Sequence, residues 1–93
     1  MRPLIVSRFP LGRVVITTNA AQHLSSAEIL RALRRHGLGD WGNTHPEDEG
    51  QNDLALQNGE RLFSVYRSRS GQTFWIITEW DRSATTVLLP DDY

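Results

Sequence analysis

No cysteine occurs in the sequence, so disulfides, thiolate metal sites and a cysteine nucleophile are excluded, and nothing indicates an oxidising compartment. Lysine is absent too, and all ten basic residues are arginines. Arginine presents a planar fork of donors that matches carboxylate or phosphate, although coding bias in a G+C-rich genome accounts for the same count. No long apolar run exists. Leu4-Ile5-Val6, with Arg2 before it, is far shorter than a signal-peptide core or a membrane span, so a soluble cytoplasmic protein with no membrane partner is expected. Excess charge is missing as well. A formal net charge of −1 and a pI of about 6.3 leave no broad attraction for a polyanion, and direct nucleic-acid binding is not expected.

What is present fits one small α+β domain over residues 1–93, with an extended N-terminal segment at 1–11. A chain of this size buries only roughly 60–65% of its unfolded surface, so each element matters. Val14-Val15-Ile16-Thr17-Thr18 is β-branched and predicts a strand over 13–18, ended by the turn former Asn19. In LSSAEILRALRRHG, Ser25 and Glu28 have the spacing of a capping box, Leu24 and Ile29 that of a hydrophobic staple, and Gly37 supplies a stop. Ala27, Leu30 and Leu33, with Ile29 beside them, form the expected apolar stripe. Arg31, Arg34 and Arg35 fall opposite, either as a solvated face that favours the helix C-terminus or as a patch for an acidic partner.

Glycines 37, 39 and 42 make GLGDWGN a loop, in which Trp41 reads as a lid over the core or as a ligand platform. Thr44 and Glu47 repeat the capping-box spacing ahead of a second helix at about 45–58, closed by Asn58-Gly59. From Arg61 the period changes to two. RLFSVYRS, TFWIITEW and ATTVLL, joined by SRSGQ and DRS, predict three antiparallel strands. The middle one is apolar on both sides, as a central strand covered twice would be. The order β-α-α-β-β-β implies an antiparallel sheet with two helices packed on one face.

No catalytic constellation emerges. His23, His36 and His45 lack a second ligand at metal spacing, and His36 is expected to act as a cation or donor at a helix C-terminus. HPEDEGQND lacks the alternating oxygens and closing glutamate of a calcium loop, and no cofactor is expected. The element order is also that of RelE-type ribosome-dependent ribonuclease toxins, and YRSRSGQTFWIITEWD loosely resembles their central hairpin. That likeness implies roles for Arg61, Arg67, Arg69 and Tyr93 in phosphate stabilisation and proton transfer.

GDWGN, EDEGQND, GERLFSVY and FWIITEWDRSATTVLLPDDY, over about residues 12–93, resemble a family of small bacterial proteins carried on plasmids and other mobile elements, sometimes labelled plasmid-related or associated with type I restriction. Asp40, Trp41, Gly42, Asn52, Glu79, Asp81, Arg82, Ser83 and Tyr93 match its signature, whereas Trp80 stands at a variable position and Asn43 where an acid is frequent. The resemblance implies no agreed activity. Small size, absent catalytic groups and clustered Trp, Tyr and Arg lead to the expectation of a non-enzymatic protein-binding or inhibitor protein. Its partner would be a host defence or nucleic-acid-processing complex, in the manner of anti-restriction or anti-CRISPR proteins. A RelE-like toxin and a homodimeric structural or regulatory module are the alternatives. Candidate binding residues are Asp40, Trp41, Trp80, Asp81, Arg82, Ser83 and Tyr93, with the helix arginines Arg31, Arg34 and Arg35. At the corner, Asp81, Arg82 and Ser83 either lock a turn or present a surface.

Overall fold

Ser25 begins a helix as its sequence directs: its side chain accepts from the Glu28 amide while Glu28 reaches back to the Ser25 amide. A computed structural model of the protein describes residues 7–93, so the first six residues of the extended segment expected at 1–11 lie outside the described residues. Its elements are β1 (Arg13–Ile16), α1 (Thr18–His23), α2 (Ser26–Gly37), α3 (Pro46–Asn58), β2 (Leu62–Arg67), β3 (Thr73–Thr78), β4 (Ala84–Leu88) and a final 3-10 turn at Pro90–Asp92.

The α+β class is present and the order roughly fits, with one helix added (β-α-α-α-β-β-β) and the expected antiparallel sheet with two helices corrected to a mixed sheet with three. Thr17 caps a six-residue helix, α1, through a bond from the Ala20 amide, so the first strand ends at Ile16 and Asn19 is helical rather than a turn. The sheet order is β1-β4-β3-β2, and β1 joins the antiparallel β2-β3-β4 meander in parallel, making the sheet mixed. The intervening helices supply the long crossover that a parallel pair needs.

Strand alternation sorts the sheet into two faces. Leu62, Ser64, Tyr66, Phe74, Ile76, Thr78, Thr85 and Val87 are buried on the helix side. The buried stripe of α2 is Ile29, Ala32, Leu33 and His36, turned from the expected Ala27-Leu30-Leu33 row; Ala27 is exposed. Ile29, Ala32 and Leu33 pack with Ala20, Leu24, Phe74 and Ile76 in one cluster, while Ala55 of α3 joins Leu62, Phe9 and Trp41 in a second. On the opposite face Phe63 and Trp75 lie 5.0 Å apart, and Trp75 meets the edge of Tyr93 at 5.8 Å.

α3 starts at Pro46 with His45 as cap and no side-chain cap bond, so the expected Thr44–Glu47 box does not form. The helix has moved one residue past Thr44, whose buried hydroxyl has no partner. Gly59 closes it in the left-handed conformation at φ 69°, as expected.

His36 is buried and uncharged rather than a cation at the end of α2. Burial, with the positive charge of Arg82 second, pushes its pKa from 6.5 down to about 3. Its tautomer follows from proton counting. Thr85 donates its hydroxyl hydrogen to the Leu11 carbonyl at 2.7 Å, so Thr78 donates to Thr85, also at 2.7 Å. His36 Nε2 then donates to Thr78 at 2.8 Å, leaving Nδ1 to accept from Ser64 at 2.6 Å. Every member of this line is satisfied only while the ring is neutral.

Candidate functional site

The β2–β3 connection folds back onto the first turn of α2. The Glu28 carboxylate, after capping its own helix, accepts the Arg69 amide at 2.9 Å and is held below the ordinary carboxylate range first by that bond and then by the one from Ser25. Arg31 and Arg35, one helical turn apart, therefore stand across from Arg67 and Arg69. The four guanidinium-bearing residues and Glu28 surround a recess of about 110 Å³, with Ala32, Tyr66 and Phe74 at its base.

These arginines are not equivalent. Arg35 grips Asp40 with both prongs, Nε to Oδ2 at 2.8 Å and Nη2 to Oδ1 at 3.2 Å, and lies 4.8 Å over the Tyr66 ring. The Arg35 bonds hold Asp40 below its usual range. Tyr66 donates its hydroxyl to the Asp40 carbonyl and is pushed upward chiefly by burial. Arg35–Asp40 is the one ion pair among the described residues, so Arg31, Arg67 and Arg69 hold no carboxylate. Arg67 reaches only the Gly71 carbonyl, at 3.3 Å. The Glu28 carboxylate offsets part of the Arg69 charge without pairing with it, and the remaining excess of guanidinium groups around the recess is suited to an oxyanion.

The other expected site residues divide sharply. Trp41 belongs to the core: it is 2% exposed, stacks on Phe9, meets His36 edge-on, and donates its indole hydrogen to Asp53 at 3.0 Å. Arg34 is exposed on α2 but does not line the recess. At the corner, Asp81 accepts the Ser83 amide at 3.0 Å, and Arg82 adopts φ 60°. The Arg82 guanidinium donates to the carbonyls of Glu60, Glu79 and Ala55, placing a cation at the end of α3, whose last turn has none of its own. Asp81, Arg82 and Ser83 thus bind their own fold, while Trp80 projects beside them at 67% exposed.

Tyr93 is 72% exposed and accepts a bond from Arg61 at 2.9 Å, with the Arg61 guanidinium 5.4 Å from its ring centre. Arg61 and Tyr93 therefore meet near the C-terminus, whereas Arg67 and Arg69 belong to the recess. The four residues named by the toxin likeness do not converge. Arg67 and Arg69 were not among the binding candidates read from the sequence with α2, because nothing local links a helix face at 31–35 to a turn more than thirty residues later; the arginine spacing RSR was the available signal.

Among the described residues no group of three or more His, Asp or Glu converges as a metal site, and no helix is long and apolar enough to cross a membrane. No family model, curated protein or solved structure matches the chain.

Proposed function

We propose that this is a small non-catalytic binding protein that holds an acidic segment of a partner protein in the arginine recess. The observation that carries the reading is the meeting of Arg31 and Arg35 with Arg67 and Arg69, three of which have no carboxylate. The patch is local in an otherwise slightly acidic molecule, and Glu47, Asp48 and Glu49 crowd the start of α3. A short acidic peptide fits a local patch, whereas an extended polyanion would run beyond it. The buried floor of Tyr66 and Phe74 limits the hydration of whatever carboxylate enters, which strengthens a charge-assisted bond. The narrower role, an inhibitor of a host defence or nucleic-acid-processing complex, rests on the likeness to mobile-element proteins and forms part of the same proposal.

The test is calorimetric titration with an octaglutamate peptide at low salt, beside a single-stranded RNA of similar charge. Peptide binding that weakens at least about tenfold in the Arg31→Glu, Arg69→Glu double variant supports the reading. Absence of peptide binding would overturn the reading, and tighter binding of the RNA with its cleavage would replace it with the ribonuclease one.

A further inference from the structure

The two outer strands of the sheet end differently, and among the described residues nothing covers the outer edge of β1. Its Arg13 and Thr17 amides donate to Ser83 and Val87 of the β4 side at 2.9 and 3.0 Å, so the intervening Val14 and Ile16 direct their N–H and C=O groups outward. No described residue bonds to those outward groups, and both side chains are 41% exposed. An exposed edge with apolar side chains is a template for another strand.

The occupant is indicated by charge. At one end of β1, Arg13 has no carboxylate among the described residues. At the other, Asp92 lies against Thr17 at 2.7 Å and Asn19 at 3.2 Å, held below its usual range first by the Thr17 bond. An antiparallel second copy of β1 would set each Arg13 opposite Thr17 of its neighbour, beside that neighbour's Asp92. A parallel copy would set like beside like.

The backbone pattern agrees with the same two-fold. With Val15 on the axis, Val14 of one chain faces Ile16 of the other, and these are the residues whose hydrogen-bonding groups point outward. Both pairs then exchange N–H and C=O bonds, and Val15 faces Val15. We propose that β1 pairs antiparallel with β1 of a second copy about Val15, giving one continuous eight-stranded sheet flanked by two Arg13–Asp92 ion pairs. Such a contact is isologous and closes on itself, which stops edge pairing at the dimer. It does not involve the arginine recess.

Because the chain lacks cysteine, single cysteines report the register directly. In a non-hydrogen-bonded antiparallel pair the facing Cα atoms stand about 4.5 Å apart, within disulfide reach. Oxidised Val15→Cys is expected to cross-link at least about tenfold faster than Val14→Cys or the exposed control Leu38→Cys; equal rates would overturn the pairing. Sedimentation of the full chain through the micromolar range should show a reversible monomer–dimer equilibrium, and a monomer throughout would overturn the proposal. Val14→Lys with Ile16→Lys should weaken the dimer at least about tenfold, and Arg13→Glu about threefold, with circular dichroism unchanged. A dimer indifferent to the paired lysines, or to Arg13→Glu, would place the contact elsewhere.

Discussion

β2 and β1 form the two edges of one sheet, yet among the described residues only the edge of β2 is sealed. On β2, Asn52 of α3 acts as a substitute strand: its amide donates to the Phe63 carbonyl at 2.7 Å and accepts the Phe63 amide at 3.0 Å. Two residues on, Val65 donates to Trp41 at 3.1 Å and accepts from Asn43 at 2.7 Å. That approach is possible because Gly42 carries no side chain; a Cβ there would stand 2.0 Å from the Val65 carbonyl oxygen, and φ is 76°. The outward groups of β1 have no such cover among the described residues. The contrast teaches that sealing an edge takes side chains and a loop from far along the chain, and that leaving one open needs only their absence.

The largest expected effect tests what the two edges share. The hydrogen-bonded line through His36 begins at Ser64 on β2 and ends at the Leu11 carbonyl, just ahead of β1. The folded-state pKa of about 3 lies below the unfolded value near 6.5. The unfolded chain therefore takes up the proton first on acidification. Stability is complete above about pH 6.5 and falls by on the order of 4 kcal/mol as the pH approaches 3. Urea midpoints at neutral pH and near pH 5 measure this, and hydrogen exchange should show β1 and β2 loosening together; an unchanged midpoint would contradict a buried neutral ring.

Gly42→Ala should come next, at roughly 3 kcal/mol, because the backbone must both shift from Val65 and keep a left-handed φ. Asn52→Ala should cost about 2 kcal/mol by stranding both polar groups of Phe63, and Asn52→Asp should recover only the half of the pair in which the side chain accepts. Val14→Lys on the open edge should alter monomer stability by less than about 0.5 kcal/mol. If Val14→Lys cost as much as Asn52→Ala, measured as urea midpoints of dilute samples, the two edges would not differ in the way described. In every case far-ultraviolet circular dichroism separates local loss from unfolding.

Much of the fold was legible because its signals are local. The Ser25–Glu28 box, the Gly59 stop and the period-two runs after Arg61 each need only a few neighbouring residues. The misread pieces have competing or distant causes. Thr17 belongs to a β-branched run yet caps α1, since its hydroxyl finds the Ala20 amide. His36 reads as a cation or donor at a helix end, yet Ser64 and Thr78 from separate strands close around its ring and Thr85 continues the line. Asp40 and Arg35 look like members of a polar loop and a solvated helix face, and they become one another's partners.

The candidate site was half legible. Arg31 and Arg35 were visible as one face of a helix, and Arg67 and Arg69 were named only through the toxin likeness, but their meeting depends on Glu28 docking the turn against α2. Arg82 shows the reverse: a residue suited by type to a surface contact is held inward by three carbonyls.

By itself the sequence determined the α+β class, the α2 and α3 boundaries within a residue or so, the central position of β3, and the absence of thiol chemistry. Capping, turn chemistry and hydrophobic period act over four to eight residues and are written locally. Only the tertiary structure decided that β1 runs parallel to β4, that His36 and Trp41 are core, that four arginines share a recess, and that the edge of β2 is sealed by Asn52 and the loop at Trp41–Asn43. Each of these joins residues far apart in the chain, where packing and hydrogen-bond satisfaction, rather than local preference, select the partner.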